Sequence, residues 1–272
     1  MKIKVKLLDK TLLNNYYNIL SVISVIASFL FLFCDIPDFA RLPAGIALVL
    51  LFVSLYLLLW LRANRKKKII LHINHSTVEI CGGDLFSCDG YKVIAFNEYF
   101  DTQADDVIIS TRSLNGKYLL NYVTDLPDLD ARIAADPHLR QCIAGTEDRP
   151  AGKNTKYTLG TVFKNGDYFL MAFSKFDSSN RAYLEIKDYI HCLIHFWEEC
   201  DIHSAGHPIS MALPGTGITR FRGYENVSEQ ELLELLIWTF QTSKVRLNLK
   251  IVLTEALLEK VNLCQLKERF RN

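Results

Sequence analysis

Ile209-Ser-Met-Ala-Leu213-Pro-Gly-Thr-Gly-Ile-Thr-Arg220 passes in one step from a short apolar segment into a glycine-rich turn. Ile209 to Leu213 reads as a strand, and the residues after it have the chemistry of an anion cradle. Gly215 and Gly217 let backbone N–H groups approach a phosphate closely. Thr216 and Thr219 bring hydroxyl donors, and Arg220 or Arg222 can add charge-assisted bonds. Gly-Thr-Gly alone does not decide the matter, since a plain tight turn favours glycine too.

Outward from this loop the same pattern recurs. Gly82-Gly83-Asp84-Leu85-Phe86 directly follows a strand, Thr77 to Cys81. Tyr91 to Phe96 (YKVIAF) comes next, a nearly continuous apolar run as expected of a strand buried on both faces, ending in Ala95-Phe96-Asn97-Glu98. Further strands are predicted over Ile69 to Ile73, Lys156 to Phe163, Tyr168 to Ser174 and Leu247 to Leu253. Lys164-Asn-Gly-Asp167 between two of them is a hairpin signal. Apolar spacing predicts a helix over Arg181 to Cys200. Ser228 with Glu231 three positions on forms a capping-box pattern ahead of Leu232, Leu235 and Leu236, and Glu255 to Phe270 reads as a terminal helix. Strands first, then alternating helix and strand, predict an α/β domain with a mixed sheet flanked by helices on both faces. Leu126 to Asn154 is polar and turn-rich and receives no element.

The two glycine loops together resemble the macro domain, the ADP-ribose-binding module. Gly83-Asp84-Leu85 stands where that family has its Gly-Asp-Ile-type sequence, Asn97 ends a buried strand, and Gly215-Thr216-Gly217-Ile218 matches the later loop. The resemblance implies that Asp84 hydrogen-bonds the adenine amino group, that Asn97 sits by the distal ribose, and that the second loop wraps the diphosphate. The polyglycine loop that usually follows the asparagine is missing; Tyr99-Phe100-Asp101-Thr102 and later Ser113-Leu114-Asn115-Gly116 stand instead. The expected ligand-binding set is Gly83, Asp84, Leu85, Phe86, Asn97, Phe100, Asp101, Ser113, Leu114, Gly215, Thr216, Gly217, Ile218, Thr219 and Arg220. No catalytic residue, cofactor or metal is expected, only an ADP-ribose derivative as ligand.

The N-terminal quarter is different in kind. Thr11 to Cys34 carries no charge, and after Asp35-Ile-Pro-Asp-Phe-Ala-Arg41 a second uncharged run extends from Leu42 to Leu61. A helix needs about 20 apolar residues to cross a hydrocarbon core of roughly 30 Å. Both runs meet that, with spans over about 14–34 and 42–61, and Tyr16, Tyr17 and Trp60 fall where an interfacial aromatic belt would put them. Pro37 and Pro43 are expected to flank a short turn. Lys2, Lys4, Lys6 and Lys10 precede the hairpin and Arg62, Arg65, Lys66, Lys67 and Lys68 follow it, whereas the turn holds Arg41 against Asp35 and Asp38. The positive-inside rule therefore puts both ends in the cytoplasm. The domain division is 1–68 for the hairpin and 69–272 for a cytoplasmic macro-like domain.

Net charge is only +1, which offers no global field for nucleic acid. The seven cysteines show no CxxC pairing or regular framework and read as reduced thiols. His191 and His195 are four apart on the predicted helix, with Cys192, Cys200 and His203 near. No HExxH pattern or fixed Cys/His set completes a metal site, so they read as core or surface histidines. There is no Gly-x-Ser-x-Gly elbow and no Walker loop.

Two spans ahead of a macro-like domain with its Asn-x-x-Phe-Asp-Thr segment resemble, over nearly the whole chain, the ThsA effectors of type II Thoeris anti-phage systems. The resemblance implies a bacterial inner-membrane protein that senses an ADP-ribose derivative, a histidine conjugate made from NAD by a TIR-domain partner. It then self-assembles and damages the membrane in abortive infection. A membrane-anchored ADP-ribosyl hydrolase, with Asn97, Glu98 or Asp101 activating water, is the rival expectation, and an anchored scaffold with a dead pocket is the third.

Overall fold

The computed structural model describes residues 3–33, 37–177 and 179–270; Lys2, Cys34 and Asp35, used above for topology and span limits, lie outside them. Helix α1 (Lys10–Phe31) starts at Asp9, whose carboxylate accepts from Leu12 N, and α2 (Asp38–Arg65) follows Pro37. Pro43 does not flank the turn as expected but lies inside α2, near its start, where a proline forgoes one backbone bond. At 22 and 28 residues the helices extend about 33 and 42 Å, enough to cross a bilayer core. Their side chains cover almost nothing of the rest of the chain: Val22, Phe29, Leu30, Val49, Leu50 and Leu58 are all exposed.

At the base of this pair the chain is clamped. The buried Asn64 Oδ1 accepts from Lys4 N (2.7 Å) and Val5 N (3.0 Å), and Trp60 Nε1 donates to the Val5 carbonyl. Asn262 Nδ2 donates to Asp9 Oδ2, tying the start of α1 to the C-terminal segment.

The remaining elements run β1 (Lys68–Ile73), β2 (Ser76–Gly82), β3 (Tyr91–Asn97), α3 (Leu114–Tyr122), α4 (Leu126–Ala135), α5 (Pro137–Gln141), β4 (Ile143–Thr146), β5 (Thr155–Tyr157), β6 (Val162–Asn165), β7 (Tyr168–Phe176), β8 (Ala182–Glu185), α6 (Ile186–His203), β9 (Ile209–Ala212), β10 (Arg220–Arg222), α7 (Glu229–Ser243), β11 (Leu249–Leu253), α8 (Glu255–Leu258) and α9 (Leu263–Arg269). Among the described residues, nine strands form one mixed sheet in the order β1-β2-β11-β9-β3-β7-β8-β10, with β6 also on β7. From β2 to β7 the neighbours are parallel; β1, β6 and β8 run antiparallel to their partners, and β10 is parallel to β8.

The central strands alternate between two cores, as the apolar runs predict. Val93, Phe169, Met171 and Ile251 face α6, α7 and α9, where Trp197, Phe240 and Leu266 pack. Ile94, Phe96 and Leu170 face Tyr118 of α3, Leu129 of α4 and Leu139 of α5. The Asn165-Gly166 hairpin and the Ser228/Glu231 capping box form as expected.

Four assignments change. The strand expected over Lys156 to Phe163 is broken into β5 and β6, because Gly160 turns at φ +93° with a Cβ position only 2.5 Å from the Cys192 carbonyl. The helix expected from Arg181 begins at Ile186, its first residues being β8, which pairs with β7 and β10. The terminal helix is two, since Asn262 caps a fresh start by accepting from Cys264 N and Gln265 N. The unassigned 126–154 stretch holds α4, α5 and β4. The six described cysteines are unpaired.

Candidate functional site

Among the described residues, five parallel strands end on one side of the sheet, and the carboxyl ends of four of them, β3, β7, β9 and β11, surround a cavity of about 440 Å³. Asn97 of β3, Ser174 and Phe176 of β7, Ala212 of β9 and Val252 of β11 form its floor. Crevices outside the carboxyl ends of parallel strands are where open α/β sheets bind ligands. The volume falls within the roughly 300–1,000 Å³ typical of small-molecule sites.

Leu213 to Thr219 is the roof. It leaves β9 and enters β10, which lies beyond β8, so it crosses the ends of β3 and β7 on the way. Gly215 has φ +86°, with a Cβ position 2.9 Å from the Phe221 ring, so a side chain there is strained and obstructed. Gly217 is exposed and has open space around it. The Thr216 hydroxyl donates to the Leu213 carbonyl (2.9 Å), which closes the turn. Gly215, Thr216, Gly217, Ile218 and Thr219 all line the cavity. Arg220 does not; with Arg222 and Asp177 it lines an outer depression of about 680 Å³ on the far side of the same loop.

The opposite wall comes from the segment between β3 and α3. Ser113 caps α3, its hydroxyl accepting from Gly116 N (2.9 Å), and Ser113 and Leu114 line the cavity as expected of them. Several further lining residues were missed by sequence reading, Arg112 and Asn115 among them. Arg112 is the one charged side chain among the described residues that line the cavity. Asn115 is 8% exposed, and its Oδ1 is buried with no partner. An unpaired buried acceptor costs about 1–3 kcal/mol. The only advance signal was position, directly after the Ser113 cap.

The other expected residues are spread differently. Asn97 lines the cavity floor, but its amide is engaged: Oδ1 accepts from Tyr99 N and Asp101 N, and Nδ2 donates to Asp101 Oδ2. Phe100 and Asp101 are turned away from the cavity. Phe100 is fully buried against Phe96 and Tyr157. Asp101 pairs with the buried Arg149 at 3.0 Å and accepts from Lys153 N at 2.7 Å. The carboxylate that follows Asn97, Glu98, is also buried; burial raises its pKa above the usual glutamate range, and Phe176 N donates to it.

The Gly83–Phe86 loop flanks the cavity without lining it. Gly83 lies against Val252, whose side chain is part of the wall (3.5 Å from the Cβ position). Asp84 is exposed and caps a 3-10 turn, accepting from Phe86 N at 3.3 Å. Leu85 is core, and the Phe86 ring stacks on Tyr122.

Comparison with known proteins places this architecture. Residues 78–254 match the family model of the macro domain of Thoeris protein ThsA. Thoeris protein ThsA of Bacillus amyloliquefaciens (strain Y2) is 39% identical over 279 residues, covering 100% of this chain and 94% of that one. Among solved structures, the chain is similar to an Oceanobacillus iheyensis macrodomain with ADP (14% identity, TM-score 0.48, 75% of this chain and 95% of that one). A glycine-to-valine mutant of that macrodomain, solved with ADPR, gives 15% identity, TM-score 0.48 and coverage of 75% and 97%. The chain belongs to the ThsA family of Thoeris proteins, with a macro-domain sheet behind two helices long and apolar enough to span a membrane.

Proposed function

We propose that the chain is a membrane-anchored sensor: its macro-like domain binds an ADP-ribose derivative, and ligand binding drives self-assembly that breaches the bilayer. The observation that carries this is the cavity at the strand ends, roofed by Leu213–Thr219 and chemically suited to a nucleotide diphosphate. Arg112, the N-terminus of α3 and the roof N–H groups offer positive potential, the Asn115 acceptor awaits a donor, and much of the remaining lining is apolar. The ligand is taken to be a histidine conjugate of ADP-ribose, made from NAD by a TIR-domain partner, in keeping with the Thoeris family. Asp84, beside the cavity, is the base reader in this pose.

The same lining favours binding over hydrolysis. It contains no Asp, Glu or His among the described residues, and Asn97, Glu98 and Asp101 are committed to internal bonds. A water-activating base is thus hard to find near the ribose.

Coupling to the membrane part has a short route. Thr254 and Leu257 line the cavity, while Glu255 and Leu258 in the same short helix meet Lys4, Asn64 and Lys67 at the base of the hairpin. Two helices enclose no pore, so a lesion needs many copies in the inner membrane, with the macro-like domain and both ends in the cytoplasm. Ligand drives that only if it binds the assembled form more tightly.

Titration of the full chain in detergent with ADP-ribose and its histidine conjugate, read by calorimetry and by particle size, tests this. The reading expects binding without turnover and growth in particle size. Turnover of the ligand, or no binding by folded chain, would sink it.

A further inference from the structure

Away from the cavity, three imidazoles surround one buried carboxylate. Glu199 in α6 is 3% exposed, and its Oε2 accepts from Val162 N (3.0 Å), which fixes its direction. His138 Nε2 from α5 lies 2.6 Å from the same oxygen, and His203 Nε2, one turn along α6, lies 3.8 Å from it. The three ligand atoms are all within 4.8 Å of one another. Cys142 Sγ, at the end of α5, is 3.9 Å from His138 Nε2.

An ion pair between Glu199 and His138 accounts for only one of these contacts. Among the described residues the buried His203 Nε2 has no hydrogen-bond partner, Glu199 Oε2 lying beyond bonding range at 3.8 Å. His195 Nδ1 must donate to the Leu159 carbonyl (2.9 Å), so in the neutral ring Nε2 presents a lone pair to Glu199 Oε1 at 3.7 Å. The His195 lone pair and the carboxylate repel one another unless a proton or a metal cation lies near, and the unpartnered His203 Nε2 beside them is free to act as a ligand.

The geometry points to a transition-metal site of the zinc class, held by His138, Glu199 and His203, with Cys142, beside His138, as the candidate fourth ligand. Bonds of roughly 2.0–2.1 Å place nitrogen and oxygen donors about 3.3 Å apart, and a thiolate slightly farther. The observed 2.6 and 3.8 Å separations from Glu199, within a set no wider than 4.8 Å, need shifts of about 0.5 to 1.5 Å to reach that. His138 and His203 are 33% and 25% exposed, leaving an entry path. The ion's role is mechanical: it pins α5, and with it the helical excursion between β3 and β5, onto α6.

The test uses tag-free full-length chain in detergent, stripped with chelator and titrated with zinc against a chromophoric competitor. Wild type is expected to bind one zinc per chain and to melt at a higher temperature with it. His138→Gln/His203→Gln is expected to lose affinity by at least about 100-fold, with its metal-free circular dichroism unchanged. Cobalt should give tetrahedral visible bands in wild type, with a thiolate charge-transfer band that Cys142→Ser removes. Failure of wild type to take up stoichiometric zinc, or retention of zinc by the folded double variant, overturns the site. A cobalt form without a thiolate band removes Cys142 from it.

Discussion

Asp101 and Arg149 lie 48 positions apart and form a buried ion pair, 3.0 Å between Oδ2 and Nη1, with the guanidinium also 3.8 Å over the Tyr99 ring. Lys153 N and Asn97 Nδ2 complete the carboxylate's partners. Removing one member of such a pair leaves the other charge buried, which costs about 3–5 kcal/mol. Asp101→Ala should therefore lower the melting temperature sharply. Since Asp101 faces away from the cavity, the fraction still folded should bind ADP-ribose as wild type does. Selective loss of affinity at normal stability would place Asp101 at the ligand instead.

The two roof glycines should separate by variant. Gly217 stands in open space without positive φ, so Gly217→Glu should leave stability unchanged. Its carboxylate would sit where the diphosphate is proposed to lie, weakening binding at least tenfold, or about 1.4 kcal/mol. Gly215→Ala meets both the φ +86° strain and the Phe221 ring, and should destabilise by about 1 kcal/mol or more. Melting curves and calorimetric titrations of the two variants side by side check the contrast.

Asn115 should give effects of opposite sign. Asn115→Leu removes an unpartnered buried acceptor and should stabilise the ligand-free chain by about 1 kcal/mol. The same change deprives the ligand of its acceptor and should weaken ADP-ribose binding. Equal affinities for variant and wild type would show that Asn115 reads nothing.

Glu98 sets a pH dependence. Its raised pKa, caused chiefly by burial, means that the native chain keeps a proton the unfolded chain has already released. Stability therefore falls as pH rises from the ordinary glutamate pKa through the raised one. Glu98→Gln keeps an acceptor for Phe176 N but cannot ionise. The variant should melt above wild type at neutral pH, and the gap should close below the ordinary glutamate pKa. Melting curves that stay parallel at every pH would contradict the assignment.

Asn64 controls the base of the hairpin. Asn64→Leu strands the Lys4 and Val5 N–H groups and should cost about 2 kcal/mol. Limited proteolysis should then cut residues 3–9, which the wild type protects. Unchanged protection would show that the clamp lies elsewhere, at Trp60 or Asn262.

Much of this fold is legible in the sequence because its signals are local. YKVIAF, the Asn165-Gly166 turn and the Ser228/Glu231 cap each declare an element within a few residues. The segment from α3 to α5 is not legible in that way. Asn115-Gly116 at the start of α3 resembles a turn, and Pro127 and Pro137 begin α4 and α5, where proline also reads as a break. β8 fits helical spacing until its partners on β7 and β10 are known. At the site, the roof follows from glycine and strand order, but the fate of Asp101 depends on Arg149. Likewise, the gathering of His138, Glu199 and His203 requires α5 to dock on α6. Residue type is local, whereas partnership is made by the fold.

The loop over the cavity also has an anchorage. One end is fixed at β9 in the middle of the sheet, the other at β10, an edge strand of three residues paired only with Tyr183 to Glu185. The crossing spans four strand spacings, about 19 Å, and eight residue steps reach at most about 28 Å, so the strap holds about 9 Å in reserve. A ligand taller than the space beneath it must draw on that reserve, and once it is spent the first bonds to give are those of β10. Tyr183 to Glu185 would then offer unpaired backbone to whatever strand lies nearest. Occupancy of the cavity and availability of the sheet's edge are thereby tied to one length of chain.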